Sequence, residues 1–320
     1  MKRFLRKPSV ILKRLYAALI TILVVIILTF LLFRILPARG FELFVNDVRL
    51  GPKDEQNLKL LFGFNRSVVI QMVLYFKNVF LGNFGISYIY KEPVFEIIIA
   101  RMKYSLLLLA VAQITAILMA AVFSILSVWR VGRTADNFLT KTSLLLISIP
   151  PFWLGLVFII IFLDLLPTSN VCDIGVVQNN GSVFLNIVKH SFLPVLSLTM
   201  ILYGEYMLFN RSSILETLKE DYILAVRGRG LDLFRIIKNH VLRNTVISML
   251  TVVTINTGIL IAAMIQIETV FSWPGIGMLM YEAINQRDYP LIQGIILIIG
   301  FGVAVFNMLV QIVKDILEGC

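Results

Sequence analysis

The chain reads as an all-α polytopic membrane protein with six transmembrane helices. Three observations predict this. Of its 320 residues, 58% are apolar and only 15% charged, against about 25% charged in an ordinary soluble domain, and the mean hydropathy is +0.89. The apolar residues gather into six runs, each of about the 20 residues that a helix needs to cross a bilayer core. Lys and Arg sit at the ends of these runs, in the bias that marks cytoplasmic loops. That placement also explains the net charge of +10. Basic residues laid in a stripe with interleaved aromatics would point to nucleic acid, and no such stripe is present.

Residues 1–14 carry Lys2, Arg3, Arg6, Lys7, Lys13 and Arg14 with no acid, and the first span is expected over 11–33. A secretory signal peptide would have an apolar core of about 7–15 residues and a small-residue cleavage site. This run is longer and ends in Arg34-Ile35-Leu36-Pro37, so it is read as a retained helix with a cytoplasmic N-terminus. Residues 37–103 turn mixed and polar, with turn signals at Gly40, Gly51-Pro52 and Gly82. They form an extracytoplasmic segment, and a segment of that length is exempt from the charge bias. Within it 68–80 is amphipathic, the pattern of a helix resting on lipid.

The second span, 104–128, is interrupted only by Gln113 and hydroxyl residues, and a short inner loop follows with Arg130, Arg133 and Lys141 against Asp136. The third, 139–163, contains Pro150-Pro151. Adjacent prolines remove two backbone donors and force a kink, which lipid tolerates only where neighbouring helices or water satisfy the freed carbonyls. Residues 164–189 suit an outer loop, and the fourth span, 190–209, bends early at Pro194. Glu205 is its odd member. An acid within a span is costly and a candidate for function, but this one lies close to the cytoplasmic end and is expected to pair with Arg211.

The island 211–244 sets seven Lys/Arg against four acids and is placed in the cytoplasm. Helix formers fill 214–227, Gly230 can end that helix in the left-handed conformation, and Asp232 can cap a second one inside a Leu231–Ile236 staple. The fifth and sixth spans are 245–267 and 290–313. Between them runs Glu268-Thr269-Val270-Phe271-Ser272-Trp273-Pro274-Gly275-Ile276-Gly277, with Arg287 facing Glu268, Glu282 and Asp288, an outer segment built round a tight turn. An aromatic belt explains Phe271 and Trp273 but not the Pro and Gly spacing. His190 and His240 are isolated, at span boundaries, and read as packing or capping residues. Cys172 and Cys320 make neither a metal spacing nor a disulfide framework and fall on opposite sides of the membrane.

The ordered string Glu220-Asp221-Tyr222, Ala225-Val226, Gly230-Leu231, then His240-Val241-Leu242-Arg243-Asn244 resembles the cytoplasmic coupling loop of ABC importer permeases, closest to the B-type membrane subunit of the dipeptide/oligopeptide and nickel family. Val226 stands where Ala is usual, and Ser248 where many relatives carry Pro. Gly82-Asn83-Phe84-Gly85-Ile86-Ser87 with Pro93-Val94 and Ile97 to Arg101, the Pro150-Pro151-Phe152-Trp153-Leu154-Gly155 helix, Leu166-Pro167 and the Trp273-Pro274-Gly275 turn extend the resemblance in order along nearly the whole chain. It implies the type I ABC importer fold in a single permease domain, 1–320. It implies a coupling set (Glu220, Asp221, Tyr222, Ala225, Val226, Gly230, Leu231, His240, Arg243, Asn244) that docks on an ATPase, and an outer-turn set (Glu268, Trp273, Pro274, Gly275, Gly277). On this resemblance 37–103 lies near the substrate-binding protein, which gives 68–80 a second reading beside the interfacial one.

The partners so implied are a second homologous permease, two ABC ATPase subunits, an extracytoplasmic substrate-binding protein and membrane lipid. The location is the plasma or inner membrane, with both termini cytoplasmic. No Gly-x4-Gly-Lys-[Ser/Thr] occurs, so no phosphate-cradling P-loop is present. The chain is expected to be no enzyme and to bind no cofactor or metal, with ATP and Mg held by the partner ATPases. A secondary transporter would need coupling-ion ligands near the midplane, and an intramembrane hydrolase paired acids or a nucleophile with its base; neither set is visible. Peptides are the expected cargo, with nickel, metal–opine complexes, glutathione and oligosaccharides as alternatives.

Overall fold

A computed structural model describes residues 8–35, 67–169, 180–228, 230 and 232–318. The described chain is helical, its only extended pairing an isolated antiparallel bridge between Ile86 and Pro93. In order the helices are α1 (Pro8–Phe30, continued by a π-turn over Leu31–Ile35), α2 (Val68–Phe80), α3 (Val94–Trp129), α4 (Thr134–Ser148), α5 (Pro151–Phe162), α6 (Asn180–Thr217), α7 (Asp221–Gly228), α8 (Leu233–Ile236, continued by a π-turn over Ile237–Val241), α9 (Leu242–Val270), α10 (Ile276–Asn285) and α11 (Tyr289–Glu318). Five are long and apolar enough to cross a membrane, and six spans result if the bent pair α4 and α5 counts as one.

That pair departs from expectation. A single kinked helix was predicted over 139–163, and the structure has two helices meeting at 107°. Ile149 is extended, Pro150 precedes α5 as its cap and Pro151 opens it, so α5 is a new helix started by its prolines. Pro150, Ser148 and Ile147 are exposed at the break.

Residue contacts divide the chain into two units. The first comprises Leu106–Trp273 and the end of α11 from Leu309. Its centre is α6, against which α4, α5 and α9 pack. In lipid, helices associate through close packing and interhelical hydrogen bonds rather than through apolar burial, and both are present. Ala116 and Ala120, four apart, leave a low face on α3 into the same cluster as Tyr203, Tyr206 and Met207 of α6 and Val252 and Val253 of α9. Gln113 donates to the Tyr206 hydroxyl at 2.9 Å, and Thr115 shares a hydrogen bond of 2.8 Å with Thr199. Pro194 lies inside α6 without ending it.

The second unit comprises Pro8–Ser105 and Pro274–Met308. Val94, Ile97 and Ile98 of α3 pack with Leu279 and Ala283 of α10 and Leu291, Ile292 and Ile295 of α11. The approach is close because Gly294 of α11 has no side chain: a Cβ there would lie 2.4 Å from Val94 Cγ1. Helix α2 is held by Tyr75, with Phe76 and Val79 packed beside it. Tyr75 is buried against Phe30 of α1, ring centroids 5.6 Å apart. Val68, Val69, Val73 and Phe80 stay exposed, an apolar face of the kind that rests on lipid, which favours the interfacial reading of this helix.

Candidate functional site

The polar island begins on a helix that has not yet ended. α6 continues through Thr217, breaks over 218–220 with backbone bonds from Lys219 to Glu216 and from Glu220 to Thr217, and restarts as α7 when the Ile223 N–H bonds the Glu220 carbonyl at 2.9 Å. Glu220 and Asp221 are exposed at this restart, and the acid in the first turn complements the helix dipole. α7 has two faces. Ile223 is fully buried and Val226 packs beside it, in a cluster with Val128 of α3, Ile214 of α6, Leu218 of the break, Ile236 of α8 and Val241. Tyr222 and Ala225 point outward.

Gly230 follows with φ +81°, the left-handed terminator expected of it, and a Cβ there would meet nothing within 4 Å. The Ile236 N–H bonds the Asp232 carbonyl at 3.0 Å. His240, half-buried, falls in the π-turn. Asn244 reaches back to donate to the Tyr222 hydroxyl at 3.2 Å and so ties the start of α9 to α7. Leu231, Arg229 and the side chain of Arg243 lie outside the described residues. Glu216, Glu220, Asn244, Ser248 and Glu318 line a cleft of about 550 Å³ beside the loop.

The outer turn stands at the other end of α9, about 43 Å along a helix of 29 residues at 1.5 Å each. α9 closes with Ser272 N–H on Thr269 O (3.3 Å) and Trp273 N–H on Glu268 O (2.8 Å), while Ser272 takes φ +50°. This is the Schellman arrangement, with Ser in the place that glycine usually fills. Glu268, Phe271 and Trp273 are buried. Within the tight turn expected from the Pro and Gly spacing, Gly275 has φ −95° and ψ −169°, extended backbone that any residue adopts, and the left-handed position is Ser272. Pro274 is half-buried, Gly275 and Gly277 are buried, and Gly275 O accepts the first bond of α10 from Leu279. The division between the two units falls between Trp273 and Pro274.

α10 ends on the same motif, with Arg287 at φ +56° and the Asp288 N–H on Ala283 O at 2.9 Å. The buried Asp288 carboxylate accepts from Ser87 Oγ at 2.5 Å, Ile89 N–H at 3.1 Å and, as a cap for α11, Leu291 N–H at 3.2 Å. It thereby fastens the 83–93 segment to the last helix. Beside it Tyr90 donates to Glu282 at 2.9 Å; burial and then the Glu282 carboxylate hold the Tyr90 phenol above its ordinary value.

One site residue was misread in sequence. Arg211 does not pair with Glu205; it makes a two-pronged bond to Asp136, Nε to Oδ1 at 2.7 Å and Nη2 to Oδ2 at 2.8 Å. The reason is helical geometry. Residues six apart lie on different faces, whereas neighbours are three or four apart. His190 behaves as expected, its Nδ1 2.9 Å from the Asn186 carbonyl one turn back.

Helices long and apolar enough to span a membrane, one of them broken, and a helix–break–helix excursion backed by its own core describe a membrane-embedded component. Comparison identifies its family. Residues 113–319 match the binding-protein-dependent transport system inner membrane component, and 7–110 match the N-terminal region of the same kind of membrane component. The chain belongs to this family, and the resemblance read from its motifs is borne out. It is 32% identical to the di/tripeptide transport system permease protein DppB of Pseudomonas aeruginosa, over 97% of this chain and 96% of the relative. The dipeptide permease DppB of Escherichia coli K12 and the oligopeptide permease AppB of Bacillus subtilis are each 29% identical, over 96% of this chain and 97% of theirs.

Proposed function

We propose that this chain is one permease subunit of an ABC importer for di- and oligopeptides. It forms the translocation pathway with a second homologous permease. One of two separate ATPase subunits docks on the 211–244 loop, and an extracytoplasmic substrate-binding protein delivers cargo near 37–103 and the turn at 268–277. The loop and both termini lie in the cytoplasm, so ATP and Mg act in the partners.

The observation that carries this reading is the build of α7, with Tyr222 and Ala225 outward and Ile223 buried behind them. A short helix held rigidly from behind and bearing a small residue in front can enter a cleft on a partner. The three permeases named above, matched over almost their whole length, favour peptides over the other cargoes.

A carboxylate placed on that front face would be buried unpaired on docking, at about 2–5 kcal/mol. Ala225→Glu and Gly230→Glu are therefore expected to lower ATPase co-purification at least about tenfold and to abolish dipeptide uptake, with unchanged membrane abundance. Lys219→Ala, on an exposed turn, should leave both near wild type. Normal pull-down and uptake by both Glu variants would remove the loop from the coupling role.

A further inference from the structure

Asp136 is nearly fully buried, and both of its oxygens are committed. Oδ1 accepts from Arg211 Nε at 2.7 Å, from Ser127 Oγ and, more weakly, from Thr140 Oγ1 at 3.5 Å. Oδ2 accepts from Arg211 Nη2 at 2.8 Å and from the Gly132 N–H at 2.9 Å. Arg211 Nε also lies 3.0 Å from Ser127 Oγ. One carboxylate thus joins the last turn of α3, the connection after it, the first turn of α4 and the polar end of α6.

Arg211 lies on the face of α6 that leads to α7. Ile214 and Leu218 follow it at three and seven residues, the spacing of one helix face, and both pack in the cluster that holds Ile223 of α7. A displacement of α7 therefore loads this face of α6 first. The apolar contacts there are non-directional. A two-pronged guanidinium–carboxylate bond is directional and short-ranged, so it moves as one piece or breaks. Its far side is α4, which packs along α6 and ends at the break before Pro150.

We propose that the Asp136–Arg211 pair is a strut that passes movement of the 221–230 loop to α4 and hence to the broken span. Both are positioning residues for coupled transport, and the inference rests on the coupling reading of the loop.

The test uses the complete importer in proteoliposomes, with its second permease, ATPases and binding protein, and measures ATP hydrolysed per radiolabelled dipeptide taken up. Removing one partner alone strands a buried charge, so the informative variant is the neutral double Asp136→Asn/Arg211→Met. It is expected to retain the ATPases as wild type does and to raise the ratio of ATP to dipeptide about fivefold, the scale of a lost internal coupling. An unchanged ratio would make the pair plain packing and overturn the proposal. Loss of the ATPases would overturn it too, because the pair would then be shaping the docking surface itself. If the double variant does not accumulate, Arg211→Lys decides, since it keeps the charge and gives up the second prong: an elevated ratio supports the strut and a wild-type ratio sinks it. Failure of the coupling reading shows elsewhere, in Ala225→Glu and Gly230→Glu, which must lose the ATPases in the pull-down.

Discussion

At the scale of single residues, two non-glycine side chains occupy left-handed backbone where helices end, Ser272 after α9 and Arg287 after α10. Each left-handed L-residue costs about 1–2 kcal/mol, so these closures are held by what surrounds them. Ser272→Gly is expected to raise the unfolding temperature in detergent, by up to about 1 kcal/mol of stability. Ser272→Val, β-branched in the same conformation, should lower it by about 1–3 kcal/mol. Thermal scans of the two variants beside wild type check the sign. Residue roles were legible where chemistry is local, as for the left-handed Gly230. They were not legible for Asp136, which stands among Arg130, Arg133 and Lys141 in sequence and acquires its partner only when α6 is laid against α4.

Among elements, α11 approaches the start of α3 closely at Gly294. Gly294→Ala would drive a Cβ against the stiff Val94 side chain, and overpacking of this kind costs about 1–3 kcal/mol. The companion Val94→Ala makes the room, so the double variant is expected to recover most of the membrane abundance and melting temperature that Gly294→Ala loses. Equal behaviour of the single and double variants would show that the two helices do not meet there. Helix existence was readable from the apolar runs, but helix ends were not. α3 and α6 run on for 36 and 38 residues, past apolar runs read as 104–128 and 190–209, although Asn180, Gly181 and Ser182 at the start of α6 are weak helix formers. The prolines announced a fault in the third span. Its angle came from the packing of α5 against α6 and α9, which no local signal carries.

For the molecule as a whole, helices of 36 and 38 residues are about 54 and 57 Å long, against a hydrocarbon core of about 30 Å. Both are longer than that core is thick, and one of the two ends of α6 beyond its apolar run carries Arg211 and leads into α7. By the positive-inside bias that end is the one proposed to be cytoplasmic. Cys172 and Cys320, both beyond the described residues, test it: an impermeant thiol reagent on intact cells, or on spheroplasts where an outer membrane blocks access, should label Cys172 and leave Cys320 untouched until the membrane is opened. Labelling of Cys320 in sealed cells would reverse the orientation.

The break between α4 and α5 falls at the middle of its apolar run, where acyl chains offer no hydrogen bonds. The last carbonyls of α4 have no further turn to receive them, and Ile147, Ser148 and Pro150 leave the spot uncovered by the chain's own side chains. Hydrocarbon is therefore a poor solvent for this subunit taken singly. Either water is drawn inward to that depth or another protein surface closes over it.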